Sequence, residues 1–293
     1  MTIHQLKSDS LMVNFSSKGA EIVSIKHIQT GVEFIWDGNQ EVWNRHAPVL
    51  FPIVGKLNEN QFQYEGSFYS LGQHGFARDL EFETVEIYSD VIRFLLESNE
   101  DTLKVYPFEF KLFIEYKLIE NQLETTYTVH NSGKEIQYFS IGAHPAFLLP
   151  DENLENFSIY FNQDEPNLQR FLIKDGLQTE ETTNVGLSIS NELELNANSF
   201  DKDAIIFKDL NSNEISIRHK KSNWQVKMSF EGFPFFGIWS KHPHQKFICL
   251  EPWAGITDKM GFNGEITEKE GICSLGANKS KSFCFKTKFS GAI

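Results

Sequence analysis

Hydrophobic and polar positions alternate with period two along most of this chain, the pattern of strands with one buried face. It is clear in LMVNFSS (11–17), EIVSIKHI (21–28), FETVEIY (82–88), VIRFLLES (91–98), EFKLFIEYKLI (109–119) and QLETTYTVH (122–130). It returns in FSIYF (157–161), EISIRHK (214–220), WQVKMSF (224–230), KFICLE (246–251) and SFCFKTKF (282–289). Short turn-forming pieces such as YEGSF, IYSDV, IENQL and HNSGKE separate these runs at the spacing of antiparallel meanders. No long segment carries the 3.6-residue period of an amphipathic helix. Residues 151–200 are less patterned and rich in Asn, Glu and Ser, which predicts mostly loop with a few strands. With no repeat and no low-complexity linker, the pattern predicts an all-β chain. A large antiparallel β-sandwich occupying 1–293 as a single domain is the economical architecture, with two stacked β-domains as the alternative.

Composition adds to this picture at three points. The 27 Phe among 293 residues suit a large core between sheets. A formal net charge of -13 without a basic run argues against nucleic acid or an anionic membrane as a partner. Three cysteines, Cys249, Cys273 and Cys284, do not make a disulfide framework. The start, MTIHQLKSDS, has no apolar signal core, and no run is long enough to span a bilayer, so a cytoplasmic location is expected. Monomer and homodimer both remain open.

Four stretches place polar residues where a strand or tight turn does not need them. In IGAHPAF (141–147), alternation puts Ser140, Gly142 and His144 on one face, and the two small residues leave room beside the imidazole. In FICLEPWAG (247–255), both faces look buried, so Glu251 stands near the end of an apolar strand. Pro252 is expected to end that strand, and Trp253 to offer a ring face to a ligand. A carboxylate there is costly unless paired. It is either a strand-end residue turned to solvent or a general base in a cleft mouth. GQHGFARD (72–79) sets His74 between Gly72 and Gly75, with Arg78 beside Asp79 as a surface ion pair or a ligand contact. SFDKDAIIF (199–207) carries Asp201 and Asp203. His242 and His244 in KHPHQ have His-x-His spacing but no accompanying ligand set, so no metal is expected. Phosphate-loop, dinucleotide and serine-elbow motifs are missing, so no cofactor is expected.

FPIVGKL, QHGFARD, GAHPAF and CLEPWAG, in this order, resemble the bacterial branch of the aldose 1-epimerase (galactose mutarotase-like) family. The resemblance covers nearly the whole chain. It implies a large antiparallel β-sandwich, a small-molecule aldohexose as partner, and no cofactor. It also implies Glu251 as general base, His144 as general acid and His74 as a second histidine near the reacting oxygens. Asp203, with Asp201 as the neighbouring alternative, matches an aspartate that binds sugar hydroxyls. Lys56 stands where the family usually carries Arg, and a flexible point charge replaces a planar fork there. Arg45, Lys56 and Arg78 are the cations available to a phosphorylated hexose, and a non-catalytic sugar binder on the same fold is the other reading. A carboxylate close to His144 is expected to keep it charged.

Overall fold

Burial alternates residue by residue along Phe110–Ile119 and Gln122–Asn131, which pair as antiparallel neighbours over their full length. The computed structural model describes residues 1–189 and 191–291. These two strands lie inside a nine-stranded sheet. Its order is Glu192–Glu194, Phe157–Phe161, Glu214–His219, Gln225–Ser229, Ser280–Ser290, Gln122–Asn131, Phe110–Ile119, Val91–Glu97 and Glu83–Ile87. An eight-stranded sheet packs against it. Along that sheet run Leu177–Asn184, Gln169–Lys174, Ile205–Lys208, Phe235–Trp239, Phe247–Ala254, Ile141–Ala143 and Val49–Leu50, and Ala146–Leu148 also pairs with Phe247–Ala254. All strand pairs in both sheets are antiparallel. A three-stranded sheet, Ile3–Lys7, Leu11–Ser16 and Glu21–His27, adds to the sandwich.

Aromatic side chains bridge the two large sheets. Phe161 meets Phe207 at 5.8 Å and Phe289 meets Phe147 at 6.1 Å between ring centroids. Each fully buried ring contributes about 1.5–3 kcal/mol relative to exposure, so the Phe-rich composition is used as the sequence suggests. The fold is the all-β antiparallel sandwich expected from the alternation.

One local expectation needs correction, and two stretches refine the pattern. The segment 151–200 is mostly loop with a few strands, as expected, the strands being Phe157–Phe161, Gln169–Lys174, Leu177–Asn184 and Glu192–Glu194. Phe235–Trp239 is a central strand whose sequence, FFGIW, is apolar throughout and shows no alternation because it is covered on both faces. Pro252 does not end its strand, which continues to Ala254. On one side Pro252 faces Phe236. On the other side the register jumps from Trp253, paired with Gly142, to Cys249, paired with Ala146. The missing N–H of proline is tolerated where the ladder is already interrupted, and His144 and Pro145 occupy that interruption.

Candidate active site

Alternation along Phe247–Ala254 sends Ile248 and Leu250 into the core between the sheets. It sends Phe247, Cys249 and Trp253 to the opposite face, where they join separate apolar clusters. Glu251 lies on this second face, at the floor of a cleft of about 790 Å³. Trp253 lies beside it, over two glycines of the flanking strands. Gly142 pairs with Trp253, and Gly237 pairs with Glu251. A Cβ at Gly142 would come within 2.6 Å of Trp253 Cδ1, and one at Gly237 within 2.9 Å of Trp253 Cζ2 and Cη2. The space in front of Gly142 is therefore filled by the indole and is not left for a ligand beside the imidazole. Ser140 does not open that space either, since it packs against Gly255, where a Cβ would sit 2.2 Å from Ser140 Oγ.

His144 Nε2 lies 3.2 Å from Glu251 Oε2, with the two side chains 10% and 1% exposed. Neither oxygen of Glu251 nor Nδ1 of His144 has a well-formed hydrogen bond among the described residues. Aromatic rings fix the imidazole. Trp43 stacks on it at 5.1 Å and 27°, while Trp239 and His74 meet it edge-on at 5.6 Å. Burial pushes the Glu251 carboxyl well above the ordinary carboxylate range, the charge of Asp203 pushes it the same way, and the Trp253 indole N–H opposes them weakly. Burial likewise pushes His144 well below the usual histidine value, with Arg78 and Arg45 adding to the effect. The expectation that a neighbouring carboxylate holds His144 charged is thus corrected. Desolvation is the largest influence on both groups and works against the charged form of each.

His74 sits in a left-handed turn, with φ of 67° there and 68° at Gly75. A Cβ at Gly75 would lie 2.3 Å from Phe51 O, so the turn passes too close to the backbone for any other residue. His74 N donates to Gly55 O at 2.7 Å, and Gly55 N donates to His74 Nδ1 at 3.1 Å. Because Nδ1 accepts, the ring carries its proton on Nε2, and burial keeps His74 neutral by lowering its pKa. Arg78 Nη2 braces the turn by donating to Gln73 O at 2.7 Å. Asp79 pairs chiefly with Arg45, at 2.9 Å, with Arg78 Nε at 3.8 Å.

His74, His144, Glu251, Arg78, Asp201 and Asp203 all line the same cleft. Between the two aspartates, Asp203 is the one whose charge acts on Glu251. Its turn is held from behind by Arg170, whose Nη2 donates to Lys202 O at 3.2 Å and Ala204 O at 3.4 Å. Lys56 is not brought to the cleft lining. Its Nζ donates to Asp175 O at 3.0 Å, so it supports the 175–176 turn whose residues do line the cleft. His242 reaches the rim, with Nδ1 3.2 Å from Gln245 Nε2. Trp43, Trp239 and Gln73 were not foreseen. Trp43 lies in a loop and Gln73 on a turn, and an aromatic or amide there leaves no periodic signal.

The geometry can be set beside known proteins. A family model for aldose 1-epimerase matches residues 2–274. Protein LacX (plasmid) of Lactococcus lactis subsp. lactis is 33% identical over 286 residues, covering 94% of this chain and 95% of that protein. A crystal structure of a galactose mutarotase related enzyme from Lactobacillus acidophilus superimposes with a TM-score of 0.94 at 36% identity, covering 99% of this chain and 97% of that one. A galactose mutarotase-like protein from Lactobacillus casei ATCC 334 gives the same TM-score of 0.94 at 28% identity, covering 99% and 100%.

Proposed function

The chain belongs to the aldose 1-epimerase family, and from that premise we propose that it interconverts the α and β anomers of a free aldohexose by acid–base ring opening. The observation that carries this reading is the pair at the cleft floor. Glu251 and His144 are buried, 3.2 Å apart, and hold three polar atoms without well-formed hydrogen bonds among the described residues. Buried polar atoms are almost always paired, and sugar hydroxyls are the partners that fit a cleft of this size and polarity.

Mutarotation takes a proton from the C1 hydroxyl and gives one to the ring oxygen. The C1–C2 bond then rotates, and closure on the other face reverses the transfers. Hydroxyl donors arriving at Glu251 favour its charged form and draw its pKa down. The proton then passes to His144 across the 3.2 Å contact. This leaves a carboxylate to accept from C1–OH and an imidazolium to donate to the ring oxygen. His74, which lines the cleft with its Nε2 3.4 Å from Gln73 Nε2, supplies a neutral donor near the same oxygens. Asp203 offers its carboxylate to hydroxyls at the cleft wall.

One observation favours a second reading. Arg45, Arg78, Lys202 and Lys241 line the cleft together, which would suit a hexose 6-phosphate. Polarimetry on freshly dissolved α-galactose, α-glucose and their 6-phosphates separates the two. Wild type is expected to accelerate anomer exchange on a free sugar. Glu251→Gln should lose about 10²–10⁴-fold, the scale of one acid–base group. Equal rates for the two proteins would remove Glu251 as the base. Sugar binding without acceleration would leave a non-catalytic sugar binder.

A further inference from the structure

Cys249 has no part in the chemistry above, yet it stands directly beneath it. It is fully buried among Trp36, Ala146 and Phe247, two residues before Glu251 on the same strand face. One ligating atom each from Cys249, His144 and Glu251 lies within 4.8 Å of the others. Among the described residues, both oxygens of Glu251 and Nδ1 of His144 lack well-formed hydrogen bonds, and both of these residues line the cleft. Cys sulfur, His nitrogen and Glu oxygen are each zinc ligands, and a zinc site with three protein ligands keeps a fourth position open.

We infer that Cys249, His144 and Glu251 form a binding site for a thiophilic divalent cation, such as zinc, whose occupation shuts down the cleft. Zinc–ligand bonds of about 2.0–2.3 Å put tetrahedral ligands about 3.3–3.8 Å apart. The three atoms, at most 4.8 Å apart, must therefore close up by up to about 1.5 Å, a movement that falls to Glu251 and Cys249 because the surrounding rings hold the His144 imidazole. On coordination the Cys249 thiol and the Glu251 carboxyl release their protons to solvent, so binding strengthens as pH rises. The cation then occupies the carboxylate and imidazole that acid–base catalysis needs. That inhibitory consequence rests on the proposed reaction, whereas cation binding does not.

The test uses the intact protein and two substitutions, Cys249→Val and Cys249→Ser, with circular dichroism to confirm folding. Co²⁺ is titrated while the near-ultraviolet thiolate-to-cobalt charge-transfer band is followed, and Zn²⁺ affinity is measured by equilibrium dialysis. The expected result is one cation per chain with the band in wild type and no band in either variant. Loss of outer-shell partners alone costs about 10–100-fold in metal affinity, so loss of the thiolate should weaken Zn²⁺ binding at least tenfold. Cys249→Val should keep its basal polarimetric rate and resist Zn²⁺ by the same factor. Absence of the band in wild type would overturn the site. So would a band or affinity that survives in the variants, which would point to Cys273, Cys284 or the His242–His244 rim. If no protein accelerates anomer exchange, the acid–base reading fails while the absorption band still decides the cation site.

Discussion

Gly142 and Gly237 flank the Phe247–Ala254 strand on opposite sides, and the Trp253 indole lies over both. A methyl group at either position would press into the ring at 2.6 or 2.9 Å, tighter than packed atoms tolerate. Gly142→Ala and Gly237→Ala should therefore each lose about 1–3 kcal/mol of stability, the cost of overpacking a filled site, as measured by thermal melting. In a Trp253→Phe background, where the ring is smaller, the loss should shrink. Penalties that simply add would show that the glycines do not serve the indole. At this scale the sequence was partly legible. His144, Glu251, His74 and Arg78 stand out as polar residues in apolar or glycine-bounded strings, Asp203 was reached only through the family resemblance with Asp201 as the alternative, and all of them line one cleft. Gly142 was legible as a residue making room, but not what fills the room, because Trp253 lies more than a hundred residues away in the chain. Lys56 was placed by alignment with an arginine position. Its shorter reach ends on the Asp175 carbonyl, outside the cleft lining.

Elements differ in how plainly they announce themselves. Strands with one face toward the core, such as Phe110–Ile119, show strict alternation and were readable from hydrophobicity alone. Phe235–Trp239 is covered on both faces and so loses the period, while Leu177–Asn184 is half exposed and polar, and its pattern is that of a loop. The loop after Pro252 is fixed by a device no period reveals. Lys269, with its side chain 2% exposed, donates to Ile256 O at 2.6 Å and Asp258 Oδ1 at 2.5 Å. Asp258 Oδ2 accepts from Asn58 N at 2.9 Å. Thr257, between them, donates to Lys56 O at 2.9 Å and lines the cleft. Lys269→Met would leave the Asp258 carboxylate buried and unpaired, and should cost about 3–5 kcal/mol. Lys269→Met with Asp258→Asn should recover much of that loss in urea denaturation. A double variant no better than the single one would show that the lysine acts by packing alone.

For the whole molecule, the sandwich supplies stability on one face of the eight-stranded sheet and carries the reactive groups on the other. The central strand serves both, since Ile248 and Leu250 face the core while Glu251 faces the cleft. A carboxyl held there opposes folding in a pH-dependent way. Its folded pKa is raised by burial first and by Asp203 second, so the folded state binds the proton more tightly than the unfolded chain does. Below the unfolded value of about 4.3, both states are protonated and Glu251 adds no pH-dependent term. As pH rises above that value the unfolded chain releases its proton while the folded protein does not, and stability falls until the folded pKa is passed. Each unit of elevation is worth about 1.4 kcal/mol. Glu251→Gln keeps the shape and removes the titration. It should therefore melt higher than wild type at pH 7, with the gap narrowing to nothing as pH falls toward 4. His144, whose folded pKa is lowered by burial, carries the opposite sign. The unfolded chain protonates first, so His144→Asn should gain relative to wild type as pH falls below about 6.5. Melting curves of the three proteins between pH 4 and 8 test both slopes at once. A Glu251→Gln variant no more stable than wild type at pH 7 would mean that the carboxyl is already well solvated or paired in solution. In that case the unpaired oxygens at the cleft floor would no longer argue for a ligand that satisfies them.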